Sequence, residues 1–139
     1  MNKFAAIAAT IALAAGLAAA PATYAKQPKL TGEAKLDKML EGRVAGKPVN
    51  CISLGTATDS TVIDKTAIVY RVGSTLYVNR PTNADQLNDN DILVTRTSMS
   101  QLCRLDTVQL HDRGSRIWSG FVGLQDFVPY KRVRTASAN

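Results

Sequence analysis

The first apolar feature along the chain is a run from Phe4 to Ala20, interrupted only by Thr10 and Gly16 and stopped by Pro21. Asn2 and Lys3 precede it as a short positive segment. Small residues follow it where a signal peptidase reads: a cut after Ala25 places Thr23 at −3, and a cut after Ala22 places Ala20 at −3. A membrane-spanning helix needs about 20 predominantly apolar residues, and this run is shorter and dominated by Ala. The expectation is a cleaved signal peptide over residues 1–25, leaving no transmembrane segment. With Cys51 as the first cysteine, no lipid acceptor stands at the cut.

After a loose stretch over 26–30, the pattern becomes helical. Leu36, Met39, Leu40 and Val44 recur at i, i+3, i+4 and i+8, one apolar stripe. Thr31 is placed to cap the helix and Glu33 falls in the first turn, where negative charge suits the helix dipole. Gly42 or Gly46 can end it, and Pro48 forbids continuation. Such a stripe packs on its own sheet far more often than on a membrane.

From Pro48 onward the texture is that of strands. Val49–Leu54 is a first candidate, followed by a polar loop over Gly55–Ser60. Thr66–Val72 and Thr75–Arg80 flank Gly73-Ser74, a two-residue link of the kind that closes a tight hairpin. That register sets Tyr70 opposite Tyr77, Val69 opposite Val78 and Ile68 opposite Asn79, with apolar residues on both faces. Pro81 ends the hairpin, and 82–90 is a polar connection. Asp91–Thr97 is a further strand, Ser98–Gln101 a turn, and Asp106–Asp112 a strand with Val108 and Leu110 inward. After a turn at Arg113-Gly114-Ser115, Trp118 and Phe121–Leu124 lead to a last strand, Phe127–Val133, whose Pro129 points to an edge or a bend. The tail over 135–139 is expected to be disordered. The fold class is therefore α+β: one N-terminal helix and a mainly antiparallel sheet over 26–134, with a barrel and a sandwich both left open.

Composition adds two constraints. The chain carries 17 Lys and Arg against 11 Asp and Glu, a net charge of +6. The leader holds only Lys3, so the mature protein is at +5. A basic surface favours anionic partners, although many exported proteins are basic for solubility alone. Only Lys131, Arg132 and Arg134 form a cluster in sequence. The two cysteines, Cys51 and Cys103, allow a single pairing, and an oxidising compartment would form it. Closing that loop of about 50 residues is worth about 4 kcal/mol in the chain-entropy picture.

Candidates for chemistry are few. His111 neighbours Asp112 and lies near Ser115, but adjacent strand residues point to opposite faces, so Asp112 is poorly placed to orient the imidazole. Asp85, Asp89 and Asp91 alternate with Asn, yet Leu87 or Leu93 occupies a required donor position in either register of a calcium loop. With one His and paired cysteines, no metal and no cofactor is expected. A nucleic-acid platform would need Tyr70, Tyr77, Arg71 and Arg80 on one face, and Tyr70 and Arg71 alternate, which disfavours it.

Four segments, Gly46-Lys47-Pro48-Val49-Asn50-Cys51-Ile52, Val78-Asn79-Arg80-Pro81, Gln101-Leu102-Cys103 and Phe127-Val128-Pro129-Tyr130, carry a similarity that spans Gly42 to Val133. On them the chain resembles a group of small exported proteins of Gram-negative bacteria without assigned function. The resemblance implies export and a structural disulfide and brings no catalytic residues with it. The expectation is a periplasmic or secreted, non-enzymatic binding module at the cell envelope. Its partner would be an anionic envelope component or an envelope protein, taken on the Tyr70/Tyr77 face or on Lys131, Arg132 and Arg134. The alternatives are an exported hydrolase using paired carboxylates on envelope polymers, and an enzyme inhibitor.

Overall fold

The computed structural model describes residues 29–134, so the expectations for 1–25 and 135–139 lie outside the described residues. The chain forms one short helix, α1 (Gly32–Leu40), then β1 (Arg43–Ala45), β2 (Cys51–Ser53), β3 (Ala57–Ile63), β4 (Ala67–Val72), β5 (Thr75–Asn79), β6 (Asp91–Thr95), β7 (Gln101–Cys103), β8 (Thr107–Asp112), β9 (Trp118–Gly123) and β10 (Phe127–Arg132). All pairings are antiparallel. They build a five-stranded sheet in the order β1-β10-β5-β4-β3, a two-stranded sheet β2-β7 and a three-stranded sheet β6-β8-β9. Cys51 and Cys103 face each other across the two-stranded sheet and are joined by a disulfide.

The hairpin forms as the turn chemistry predicts. Gly73 takes φ +57°, and the ladder pairs Tyr70 with Tyr77, Val69 with Val78 and Ile68 with Asn79. Its alternation feeds two cores, one on each face of the five-stranded sheet. Ile63, Ala67, Val69, Leu76 and Val78 meet Leu36, Met39 and Leu40 of α1. Val62, Ile68, Tyr70 and Phe127 meet Ile52, Leu102, Val108, Leu110 and Val122 from the smaller sheets, and Leu124 just past β9. A nine-residue helix is too short to persist alone in water. Burial of Leu36, a residue worth about 1.5–3 kcal/mol when fully removed from water, ties it to the sheet. Gly32 permits the approach, since a Cβ there would collide with Thr66 Oγ1.

Four expectations are corrected. The helix stops at Leu40, because Gly42 at φ +69° turns the chain into β1, so Val44 belongs to a strand and not to the helical stripe. The predicted loop over Gly55–Ser60 is largely strand β3, an edge whose polar Thr58, Asp59 and Ser60 face solvent. Trp118–Gly123 is itself a strand. Pro129 is not at an edge, since β10 lies between β1 and β5. Its missing N–H faces the Gly46–Pro48 break, where β1 has ended and pairing has not yet resumed at Val49. On that side Pro129 needs only its carbonyl, which accepts from Gly46 N at 2.7 Å.

Candidate anion-binding site

The pairing of β1 with β10 sets Arg43 directly opposite Arg132. Two strands away, Arg71 stands opposite Leu76. Alternation puts all three arginines on the helix-side face, just past the end of α1, around a cavity of about 410 Å³ that Met39, Glu41, Leu76 and Val133 also line. Arg43 is held from below: its Nη1 donates to Ser74 O at 2.7 Å and to Tyr130 O at 3.3 Å. Loss of water contact, and after it the charges of Arg132 and Arg71, hold the Arg43 guanidinium below its ordinary pKa. None of the three takes part in the ion pairs found among the described residues. Glu41 lines the same cavity and Asp59 stands opposite Arg71 in the β3–β4 ladder, but neither forms an ion pair with the three guanidiniums, whose mutual repulsion an anion in the cavity would relieve.

The other face of the same sheet end carries a second concavity, about 540 Å³, lined by Tyr77, Lys47, Lys131 and Arg132. Three of the residues singled out from sequence therefore meet here. Lys131 pairs with Val44 and points away from the arginine cluster, while Arg134 lies exposed beyond the end of β10. Tyr70 does not join them. It is 4% exposed, inside the larger core, with its ring edge-on to Phe127 at 5.9 Å. The pair Tyr70/Tyr77 thus forms in register without forming an open aromatic face. The Tyr70 hydroxyl is buried with no hydrogen-bond partner among the described residues, and burial pushes its pKa well up.

Sequence reasoning left Arg43 and Lys47 out of the candidate surface and set Arg71 aside. Their only signal is positive charge. What makes Arg43 a partner of Arg132 is a contact between the two ends of the domain. Near His111, Asp112 accepts from Gly114 N (3.0 Å), Ser115 N (2.7 Å), Ser115 Oγ (2.9 Å) and Asn90 Nδ2 (2.9 Å). These bonds, the Ser115 backbone first, lower its pKa. Asp112 thus organises the turn, while His111 Nδ1 lies 3.2 Å from Arg116 O. Among the described residues no three of His, Cys, Asp and Glu gather as metal ligands. Asp89 is engaged by Lys29 at 3.3 Å and Lys35 at 3.8 Å. No protein-family model, curated protein or solved structure matches the chain.

Proposed function

We propose that this protein is an exported, non-enzymatic binding module that takes phosphate- or carboxylate-bearing groups of an envelope component between Arg43, Arg71 and Arg132. The observation that carries the reading is three guanidiniums drawn to one cavity with no acid paired to them. Guanidinium forks bind such oxyanions in a bidentate manner. The export half of the reading rests on residues 1–25 and on the disulfide, which suits an oxidising compartment. Apolar cores on both faces of the five-stranded sheet support a sandwich-like description of the scaffold.

The test is titration of the oxidised protein with tripolyphosphate and with polygalacturonate at low and then raised salt. Arg43→Gln/Arg71→Gln/Arg132→Gln should lower affinity about tenfold or more, as expected when charge-assisted bonds of about 1.5–3 kcal/mol are lost, and should flatten the salt dependence. Lys131→Ala/Arg134→Ala should cost less. Equal losses in the two variants would replace the site by diffuse attraction. Sequencing the N-terminus of protein recovered outside the cytoplasm checks the export half, with Thr23 or Lys26 expected first.

A further inference from the structure

The three-stranded sheet buries one face and shows the other. Leu93, Val108, Leu110 and Val122 point into the larger core. The ladder then sets two rows on the outer face, Ile92–His111–Trp118 and Val94–Gln109–Phe121. Trp118 and Phe121 are three residues apart and would point to opposite faces of a regular strand. A register shift opposite Leu110 and His111, with Gly120 at φ +154°, returns both to the same side. Trp118 is 57% exposed, Phe121 53%, and Ile117, immediately before them, 68%.

Two further features narrow what this face can meet. The free edge of β9 is already occupied over its second half. Asn83 Nδ2 donates to Phe121 O at 2.8 Å, Asn83 Oδ1 accepts from Gly123 N at 3.0 Å, and Thr82 N donates to Gly123 O at 3.0 Å. A partner strand therefore finds no open ladder beside Phe121. The turn that leads into Ile117 carries Arg113 and Arg116, both exposed. Its one acid, Asp112, has both carboxylate oxygens engaged by Gly114, Ser115 and Asn90. What remains is a side-chain surface of Trp, Phe and Ile bordered by two exposed cations, Arg116 and an Arg113 whose Nη2 also donates to Asp91 O at 3.5 Å.

We propose that this face docks on a lipid bilayer bearing anionic headgroups. Phe121 and Ile117 would enter the acyl boundary, the amphipathic indole of Trp118 would sit at headgroup level, and Arg113 and Arg116 would meet the phosphates. The site is independent of the arginine cluster around Arg43. That cluster lies on the helix-side face of the five-stranded sheet, while this surface is the outer face of the opposite layer. A molecule seated on a bilayer this way presents the Arg43 cavity away from it.

Trp118 is the only tryptophan in the chain, so its emission reports on this surface alone. The full-length oxidised protein is titrated with vesicles of phosphatidylethanolamine and phosphatidylglycerol, with phosphatidylcholine vesicles for comparison. The expected result is a blue shift of Trp118 emission and its quenching by acyl-brominated lipid, stronger on the anionic vesicles. Ile117→Ser/Phe121→Ser should reduce partitioning by tenfold or more, and Arg113→Gln/Arg116→Gln should weaken anionic binding about fivefold per arginine. Circular dichroism confirms that both variants fold. Arg43→Gln/Arg71→Gln/Arg132→Gln should leave the Trp118 signal unchanged, separating this proposal from the anion-binding reading. Co-sedimentation with an unmoved Trp118 would mean attachment through Phe4–Ala20 and would overturn the proposal. So would a Trp118 signal equal in wild type and in the Ile117/Phe121 variant.

Discussion

Substituting Tyr70 by Phe removes a single oxygen from the larger core and leaves the ring in its edge-on contact with Phe127. The hydroxyl is buried and unpartnered among the described residues. Its desolvation is therefore uncompensated, a penalty of about 1–3 kcal/mol. Against that stands the small void left by one atom in a packed interior, which costs a fraction of the same amount. The net expectation is a gain of about 1 kcal/mol, or about 4 °C in Tm for a domain of this size. Guanidinium melts of the oxidised protein should show a higher midpoint with an unchanged slope. Alkaline pH gives an independent readout. Burial raises the Tyr70 pKa above the ordinary 10.0, so wild-type stability is complete below that value and is lost as pH rises through the folded pKa. The variant should lose less. A drop of about 1 kcal/mol or more in Tyr70→Phe would mean that the hydroxyl is hydrogen-bonded in the native state, and the reasoning would fail. Loss of ligand binding at unchanged stability would restore Tyr70 to the binding surface.

Two further outcomes follow from the same structure. Cys51→Ala/Cys103→Ala opens a loop closed across a sequence separation of 52 and should cost about 4 kcal/mol in a guanidinium melt; a loss below about 1 kcal/mol would refute the unfolded-state account. In acid, Glu33 and Asp112 should act together. Arg80 holds Glu33 by bonds of 2.7 and 2.9 Å and lowers its pKa, as the Ser115 turn lowers that of Asp112. Depressed carboxylates stabilise above their ordinary values of 4.5 and 3.8, and the benefit is lost as pH falls through the lower folded values. Glu33→Gln should therefore narrow the Tm difference between neutral and strongly acid pH; an unchanged difference would assign the Glu33–Arg80 pair no role, as for many exposed ion pairs.

Local chemistry is legible in the sequence alone. The Gly73-Ser74 turn and its flanking runs determine the β4–β5 register, because a two-residue link leaves the strands no other alignment. Thr31 caps α1, its Oγ1 3.4 Å from Ala34 N. Two cysteines admit one bridge. Strand β9 was hidden because its bulge breaks the alternation that marks a strand, and β3 because a solvent-facing edge has little apolar patterning to read. Only the tertiary structure decided that β10 lies between β1 and β5. That choice brings Arg43 to Arg132, lets Pro129 sit inside a sheet, and turns Lys131 away from the Arg43–Arg71 cluster while Arg132 borders both cavities. It also consigned Tyr70 to the core and turned Trp118 outward. These outcomes depend on which distant edges pair and which sheet covers which face. Such long-range contacts are selected by the burial of the whole apolar surface at once, and no short stretch of sequence encodes them.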